Sequence, residues 1–161
     1  MLCDRTLCPS NAWPTERRSP KVSGLVRASE AATLALHATA IMASMSGPPV
    51  TAAVMADGLS ASEAHLAKVL QRLAKAGLVT GTRGPGGGFK LTRPAKEISA
   101  REVYEAIEGR LQVERCMVGK PLCNKLDCPL GSLFARLSDD VLETLGKTTL
   151  ADIELSLDSR S

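Results

Sequence analysis

The sequence has very few aromatic residues, and this shortage restricts the kind of core that it can form. Only two phenylalanines, one tyrosine and one tryptophan occur in 161 residues. The buried side chains must therefore be mainly Leu, Val, Ile and Ala, which suit packed helices better than a sandwich of sheets. A chain of this length holds one compact domain, or a small domain with an arm and a dimerisation element. We expect a mainly helical protein without a separate catalytic domain.

Long apolar runs are also missing, which argues against export and against membrane insertion. Residues 1–20 are polar and contain three prolines, unlike the apolar core of a signal peptide. Residues 31–45 are apolar but too few to span a bilayer. We therefore expect a cytoplasmic protein that makes no membrane contact. In the cytoplasm the five cysteines are not expected to form disulfides, which leaves metal binding, redox sensing or burial.

The residue combinations that many enzymes need are absent as well. The chain has two histidines, and neither belongs to a recognisable Ser/His/Asp set or accompanies paired carboxylates. The glycine run at residues 84–88 lacks the Lys-Ser/Thr ending of a phosphate-binding loop. A small redox enzyme that uses the cysteines is the least favoured hypothesis, and we expect a protein that is not an enzyme.

Positive charge is abundant in one part of the chain only. Residues 62–96 contain seven basic residues and one acidic residue, a local net charge of +6 in a chain whose total is +3. Such a block is typical of a surface for nucleic acid, although lysines on a helix face can simply be solvated. Charge alone therefore leaves nucleic acid, another polyanion and a merely solvated helix face open, and we expect double-stranded DNA as the partner because of the pattern of elements in the same residues.

The pattern within residues 22–96 predicts a helix-turn-helix. Apolar spacing indicates a first helix over residues 23–46 and a short second helix over residues 51–56. We interpret residues 60–63, Ser-Ala-Ser-Glu, as a capping box that opens a third helix, and Gly77 as its stop. Two short helices joined by a tight turn, with the second helix basic on its exposed side, form the DNA-binding pattern.

A hairpin follows, over residues 78–80 and 89–92, with a tip made mostly of glycine. A glycine-rich wing lets its backbone approach DNA closely while Arg83 enters a minor groove, where negative potential is focused. We therefore expect the third helix and the wing to supply the DNA contacts, and the candidates are Ser62, His65, Lys68, Arg72, Lys75, Arg83 and Lys90.

Two further helices are predicted after the wing. A second capping box, Ser99 to Glu102, opens a helix that ends at Gly109, so that residues 97–128 form a linking helix and a cysteine loop. Residues 129–153 carry apolar residues at nearly heptad spacing. We interpret this stretch as a dimerisation helix, although the same stripe could pack within one chain.

The two ends of the chain are assigned separately. Residues 1–21 show no periodic pattern and are interpreted as a disordered arm or a misassigned start, and residues 154–161 as a tail.

Three cysteines lie within thirteen residues, in the pattern Cys116-x6-Cys123-x4-Cys128. Thiolates spaced in this way suit an iron–sulphur cluster or zinc. The spacing alone is also compatible with redox-active thiols and with free cysteines that have no special role.

Residues 66–94, LAKVLQRLAKAGLVTGTRGPGGGFKLTRP, resemble the IscR/NsrR family of winged-helix, Rrf-type regulators. The resemblance extends through ISAREVYEAIE, the cysteine loop and TTLAD, and so covers about residues 22–153. It implies a homodimer on a palindrome-like operator with Arg83 in the minor groove. It also implies a [2Fe–2S] or [4Fe–4S] cluster on the three cysteines that senses iron–sulphur, redox or nitric oxide status.

Three positions depart from that family. On the third helix, Ala64 and Ala67 stand where IscR-like proteins carry a serine and a glutamate that contact bases, so their operator sequence cannot be transferred. Gly131 stands where those proteins have a histidine ligand, three residues after the last cysteine. The fourth cluster ligand is therefore open.

Glu30 is our first choice for that ligand, because the resemblance to NsrR-like proteins implies a carboxylate from the first helix of the partner subunit. His37 is second, since a lone histidine on an apolar helix is more often a core residue than a ligand. His65 lies on the expected DNA face, and Cys3 and Cys8 lie in the N-terminal arm.

These observations predict a mainly α winged helix-turn-helix with a small β-hairpin wing and a long C-terminal dimerisation helix. The predicted function is that of a dimeric DNA-binding regulator with a cysteine-ligated cluster. A cluster-free regulator that uses thiol oxidation or zinc is the alternative.

Overall fold

The computed structural model describes residues 28–45, 48–84, 86–111 and 128–153. The described residues form five helices and one hairpin, with a single 3₁₀ turn over Ala95–Glu97. In chain order the elements are α1 (Glu30–Ser44), α2 (Ala52–Gly58), α3 (Glu63–Lys75), β1 (Val79–Thr82), β2 (Gly88–Leu91), α4 (Ala100–Glu108) and α5 (Pro129–Lys147). The prediction of a mainly helical chain with a two-stranded wing is confirmed.

Helix α1 begins later than the apolar pattern predicts. Ser29 has an extended backbone and its hydroxyl accepts the N–H of Ala32 at 3.1 Å, so that it is the N-cap of a helix that starts at Glu30. The predicted start near Ser23 is therefore wrong, because a capping serine inside the apolar stretch decides where the helical hydrogen bonds begin.

The start of α3 also differs from the prediction. The N-cap is Ser62, whose hydroxyl accepts the N–H of His65 at 3.5 Å. Ser60 has a φ of +50° and donates its N–H to Asp57, so it belongs to the turn after α2. The predicted capping box that opened at Ser60 is wrong. The carboxyl end of α3 agrees with the prediction, since Gly77 follows it with a φ of +76°.

The capping box of α4 is confirmed. The hydroxyl of Ser99 accepts the N–H of Glu102 at 3.2 Å, and the carboxylate of Glu102 accepts the N–H of Ser99 at 3.0 Å. Gly109 ends this helix with a φ of +85°.

The core lies between α1, α3 and α4, and aliphatic side chains dominate it. Its fully buried members include Ile41, Met55, Leu66, Leu70, Leu73, Ile98, Val103 and Leu150. This composition agrees with the scarcity of aromatic residues, because close packing of helices needs only branched aliphatic and small side chains.

The wing is an antiparallel hairpin in which Val79 pairs with Leu91 and Thr82 pairs with Gly88. The chain before α2 adds a third short segment, because Val50 exchanges two backbone hydrogen bonds with Phe89, at 2.9 and 2.8 Å. Gly88 makes this possible, since a Cβ at its position would lie 2.6 Å from the Val50 oxygen. The wing is thereby joined to the helix-turn-helix.

The segment after α5 returns to the start of α4. Ala100 donates its N–H to Thr148 at 2.8 Å, and Leu150 donates to Ile98 at 2.9 Å. Leu150 is completely buried. This return fixes the carboxyl end of α5 on the core, while its amino end carries Cys128 as the N-cap.

Candidate DNA-binding surface and cysteine site

Helix α3 has a buried side and a basic exposed side. The buried side consists of Leu66, Val69, Leu70 and Leu73. The opposite side follows the same helical spacing and is exposed at every position: Ala64, Lys68, Gln71 and Lys75. Lys68 and Lys75, the two lysines of this stripe, are predicted DNA contacts, and both are exposed.

One flank of α3 faces α1 and α4 and is held by two polar contacts. Nδ1 of His65 lies 3.7 Å from Oε1 of Glu30, the first residue of α1. The guanidinium of Arg72 donates a hydrogen bond to the main-chain oxygen of Ile107 in α4. Both contacts lie on the same side of α3, seven residues apart, and they agree with the rotation that the buried apolar side of the helix sets. Both side chains thus have a partner within the chain. Whether they also contact DNA stays a prediction.

The remaining predicted DNA contacts lie around the same surface. Arg83 is exposed and follows β1 directly, at the glycine-rich tip, and Lys90 is exposed on β2. Ser62 is exposed at the amino end of α3, where its hydroxyl already serves as the cap. The tip needs glycine at position 87, because a Cβ there would lie 2.4 Å from the Thr82 oxygen.

The carboxyl end of α4 connects to the cysteine loop and to α1. Oε1 of Glu105 accepts Nε of Arg101 at 3.0 Å and the N–H of Leu111 at 3.1 Å. Burial is the largest single influence and favours the neutral acid, but the two hydrogen bonds and the nearby positive charges together outweigh it and lower the pKa of Glu105. The hydroxyl of Ser29 donates to the carboxylate of Glu108. The described chain therefore enters the cysteine loop from a well-anchored helix end.

Cys128 is the one loop cysteine among the described residues, and Cys116 and Cys123 lie outside them. Its side chain is half-buried, and its sulphur accepts the N–H of Gly131 at 3.4 Å. Beside it on α5, Leu130 and Leu133 are 57% and 37% exposed. The thiol thus lies next to an uncovered apolar surface.

The two candidates for a fourth ligand both lie on α1. Glu30 is exposed in the first turn and faces His65. His37 is exposed too, so the reading of it as a core residue is wrong, and its Nδ1 lies 2.7 Å from the Thr33 oxygen. Within the described part of the chain, no three His, Cys, Asp or Glu side chains gather into a metal site. The choice of Glu30 stays a prediction.

An apolar groove runs between α1, α4 and α5. Its volume is about 360 Å³. The walls are Ala28 and Leu36 of the α1 region, Tyr104 of α4, and Leu137, Asp140, Val141, Thr144 and Leu145 of α5. Among the described residues, the groove thus leaves part of the heptad-like stripe of α5 uncovered.

A family model described as "Iron-dependent Transcriptional regulator", Rrf2, matches residues 28–154. The chain belongs to the Rrf2 family. IscR of Escherichia coli is 35% identical over 106 residues, which are 65% of this chain and 65% of that protein. IscR of Xenorhabdus nematophila is also 35% identical over 106 residues, 65% of this chain and 64% of that protein. The aligned part spans just under two thirds of the length of these relatives.

Solved structures give the same fold. CymR of B. subtilis, described as the global cysteine regulator, has a TM-score of 0.68 and 26% identity, and the match covers 80% of this chain and 95% of CymR. IscR of T. potens has a TM-score of 0.63 and 23% identity, with 79% and 85% covered. The predictions of a winged helix and of an IscR-like regulator that is not an enzyme are confirmed. No helix in the described part of this Rrf2 protein is both long and apolar enough to cross a bilayer.

Sequence patterns missed the polar contacts that orient α3 in this Rrf2 protein. Arg72 and Ile107 are separated by 35 positions in the sequence, and no local pattern connects them. The chain does carry one weak signal, since Arg72 lies on the flank of the α3 pattern rather than directly opposite its apolar side.

Proposed function

We propose that the protein is a homodimeric, cytoplasmic transcriptional regulator that binds an operator in double-stranded DNA under the control of an iron–sulphur cluster. The observation that carries the DNA-binding part is the exposed basic stripe of α3 beside the wing. Lys68 and Lys75 would neutralise phosphates, and Arg83 would enter the minor groove. Ser62 and Lys90 would add contacts at the border of this surface. His65 and Arg72 would contact DNA from the flank of α3, where each also has a partner within the chain.

The dimer is supported by the surface of α5. Of its described residues only Gly131 is buried, although the helix has 19 residues and a continuous apolar stripe. Leu130 and Leu133 are exposed near its amino end. A second copy of the chain that packs along this stripe would cover the apolar surface and the groove beside it.

The three cysteines would hold the cluster beside that dimer surface. Cys128 fits such a group, because the residue is only partly buried and its sulphur already accepts an N–H, the kind of hydrogen bond that tunes the potential of a cluster. Leu130 and Leu133 would shield the site from water once a partner covers them. When bound, the cluster would supply a centre that oxidants or nitric oxide can attack.

Glu30 is the proposed fourth ligand, and the surroundings of His37 make it the second candidate. With the hydrogen on Nδ1, His37 donates to the Thr33 oxygen and leaves Nε2 free to bind a metal. A backbone acceptor on the other ring nitrogen is the usual arrangement of ligating histidines. Glu30, in contrast, would have to leave His65 in order to bind iron.

A cluster-free regulator is the second candidate function. It is favoured by the likeness to CymR, whose description is that of a cysteine regulator. In that case Cys116, Cys123 and Cys128 would respond to oxidation or hold zinc instead of iron.

DNA binding by the full chain, with and without cluster, tests the proposal. A duplex would first be selected from a library of randomised sequence, and its affinity measured for anaerobically reconstituted and for cluster-free protein. We expect the two forms to differ by roughly five- to a hundredfold, the range of typical coupling between two sites. Equal affinity of an iron-loaded and an iron-free preparation would contradict control by a cluster, and zinc in place of iron would favour the second candidate.

A further inference from the structure

The middle of the exposed stripe of α3 holds two uncharged residues among the lysines. Ala64 and Gln71 lie seven positions apart, directly opposite the buried side, and Lys68 and Lys75 alternate with them. The charge that would attract DNA and the uncharged groups therefore occupy one line on the helix.

The rotation of α3 determines that this line faces outward. The contacts of His65 with Glu30 and of Arg72 with Ile107 hold one flank against α1 and α4. The apolar side of α3, opposite the basic stripe, is buried in the core. If the basic stripe enters a major groove, Ala64 and Gln71 face the base edges and the longer lysine side chains reach sideways to the phosphates.

The side chain of Gln71 is free to bind. It is exposed, and within the described residues its amide has no hydrogen-bond partner. An amide has no net charge to attract phosphate, but it carries a donor and an acceptor in one plane. These match N7 and the N6 amino group of adenine, which glutamine can bind in a bidentate manner in the major groove.

Ala64 offers a different chemistry in the first turn of the same helix. Its methyl group is exposed and has no polar atom, and the amino end of a recognition helix is the part that contacts base edges in a helix-turn-helix. A small apolar side chain discriminates a base pair by contact with the 5-methyl group of thymine.

We propose that Gln71 and Ala64 read the operator sequence, Gln71 by an adenine and Ala64 by a thymine methyl in the same half-site. Seven helical residues extend about 10.5 Å along the helix axis, which is about three base pairs at 3.4 Å each for a helix parallel to the DNA axis and fewer for one inclined to it. Each half-site would therefore contain an adenine and a thymine within about three base pairs of each other. The inference rests on the DNA-binding role proposed above for α3.

Base analogues in the DNA test the two contacts separately. The probe is a duplex selected with the full-length wild type from a library with a randomised centre, in the cluster state that binds more tightly. Each adenine is replaced in turn by 7-deaza-adenine, which lacks N7, and each thymine by uracil, which lacks the 5-methyl group. We expect one adenine per half-site at which the analogue weakens binding roughly tenfold, and one thymine within about three base pairs of it at which uracil weakens binding by a factor of about five.

Variants assign the two contacts to their residues. Gln71→Ala should bind the adenine and the 7-deaza-adenine duplex equally, and Ala64→Gly should lose the difference between thymine and uracil. Ala74→Gly is the matched control, since Ala74 is exposed on the same helix but outside the stripe. This variant should still bind adenine more tightly than 7-deaza-adenine and thymine more tightly than uracil. Lys68→Ala should weaken binding to all of the duplexes by a similar factor and keep both base preferences.

The outcomes separate this inference from the proposed function. Tight, salt-sensitive binding that no analogue changes would overturn the base-reading role, and Gln71 would then be a solvated surface residue, while the DNA-binding role would stand. The same conclusion would follow if Gln71→Ala and Ala64→Gly still bound the analogue duplexes more weakly than the natural ones. Absence of binding to any duplex would overturn both the inference and the proposed function.

Discussion

Arg72 of α3 donates a hydrogen bond to the main-chain oxygen of Ile107 at the carboxyl end of α4. The last carbonyls of a helix have no partner within the helix, and a positive charge is favourable at this end. The contact therefore satisfies one carbonyl of α4 and connects the candidate recognition helix to the helix that precedes the cysteine loop.

Replacement of Arg72 by glutamine should lower the free energy of unfolding by about 1–2 kcal/mol, because a hydrogen bond from a charged donor is lost at a partly buried site. Urea denaturation followed by circular dichroism measures this change. Lys75→Gln is the control, since Lys75 is exposed on the same helix and has no hydrogen bond or ion pair among the described residues. If both variants are equally stable, the contact does not hold α3 on α4.

The capping box of α4 predicts a dependence of stability on pH. Partial burial favours the neutral acid of Glu102, but hydrogen bonds from Arg93 and from the N–H of Ser99, together with the charge of Arg93, outweigh it and lower the pKa of Glu102. The pKa in the folded state is thus below that in the unfolded state. The ionised carboxylate stabilises the fold at neutral pH, and this contribution disappears as the pH falls through the folded-state pKa.

Glu102→Gln should therefore be less stable than the wild type at pH 7, by about 1 kcal/mol or less because solvent screens the exposed pair. The difference should shrink as the pH falls from neutral through the folded-state pKa of Glu102, which lies below the ordinary value of a glutamate. Thermal unfolding at several pH values measures it. Glu97→Gln serves as the control, because the exposed Glu97 carboxylate has no partner among the described residues. A difference that stays constant over this range would mean that ionisation of Glu102 does not contribute.

The exposed apolar residues of α5 predict the oligomeric state. The double variant Leu130→Glu with Leu133→Glu should be monomeric at micromolar concentration, because charges would replace apolar groups in the proposed seam. Its helical content should be unchanged, since both side chains are exposed within one chain. Sedimentation velocity distinguishes the species, and Arg136→Glu, exposed on the same helix, should stay dimeric. A dimeric double variant would place the interface elsewhere.

Two substitutions distinguish contacts to the groove from contacts to phosphate. Arg83→Ala should weaken binding to the selected duplex by about 1–3 kcal/mol. Lys68→Ala should weaken selected and random duplexes evenly and reduce the slope of log affinity against log salt by about one. Fluorescence anisotropy at several salt concentrations measures both. Wild-type affinity of Arg83→Ala would show that the wing does not enter the groove.

The local elements could be predicted from the sequence because local chemistry determines them. The apolar period of α3, the box at Ser99 and the stop at Gly77 are interactions between residues at most a few positions apart, and all three agree with the structure. The error at Ser60 has the same origin. Two serines precede Glu63, either of which can cap a helix, and the turn after α2 decides between them.

The site was less accessible to prediction, since its geometry depends on distant parts of the chain. The pattern identified Lys68 and Lys75 as exposed, but it could not show that His65 and Arg72 have partners in α1 and α4. A period of 3.6 residues defines the apolar side of a helix, whereas the neighbours of its flanks follow from the tertiary fold. His37 was misjudged for this reason, because the exposed part of α1 depends on how α3 and α4 pack against it.

Iron content per chain after anaerobic reconstitution, measured together with visible absorbance, tests whether the three loop cysteines hold a cluster. We predict that the wild type binds iron and that Cys116→Ala, Cys123→Ala and Cys128→Ala do not, while Cys3→Ala and Cys8→Ala bind as much as the wild type. Glu30→Ala should assemble a cluster that is lost faster in air, and if His37→Ala shows this behaviour instead, the fourth ligand is His37. Wild-type iron in the three loop variants, or no iron in the wild type, would contradict the proposal of a cluster-controlled regulator.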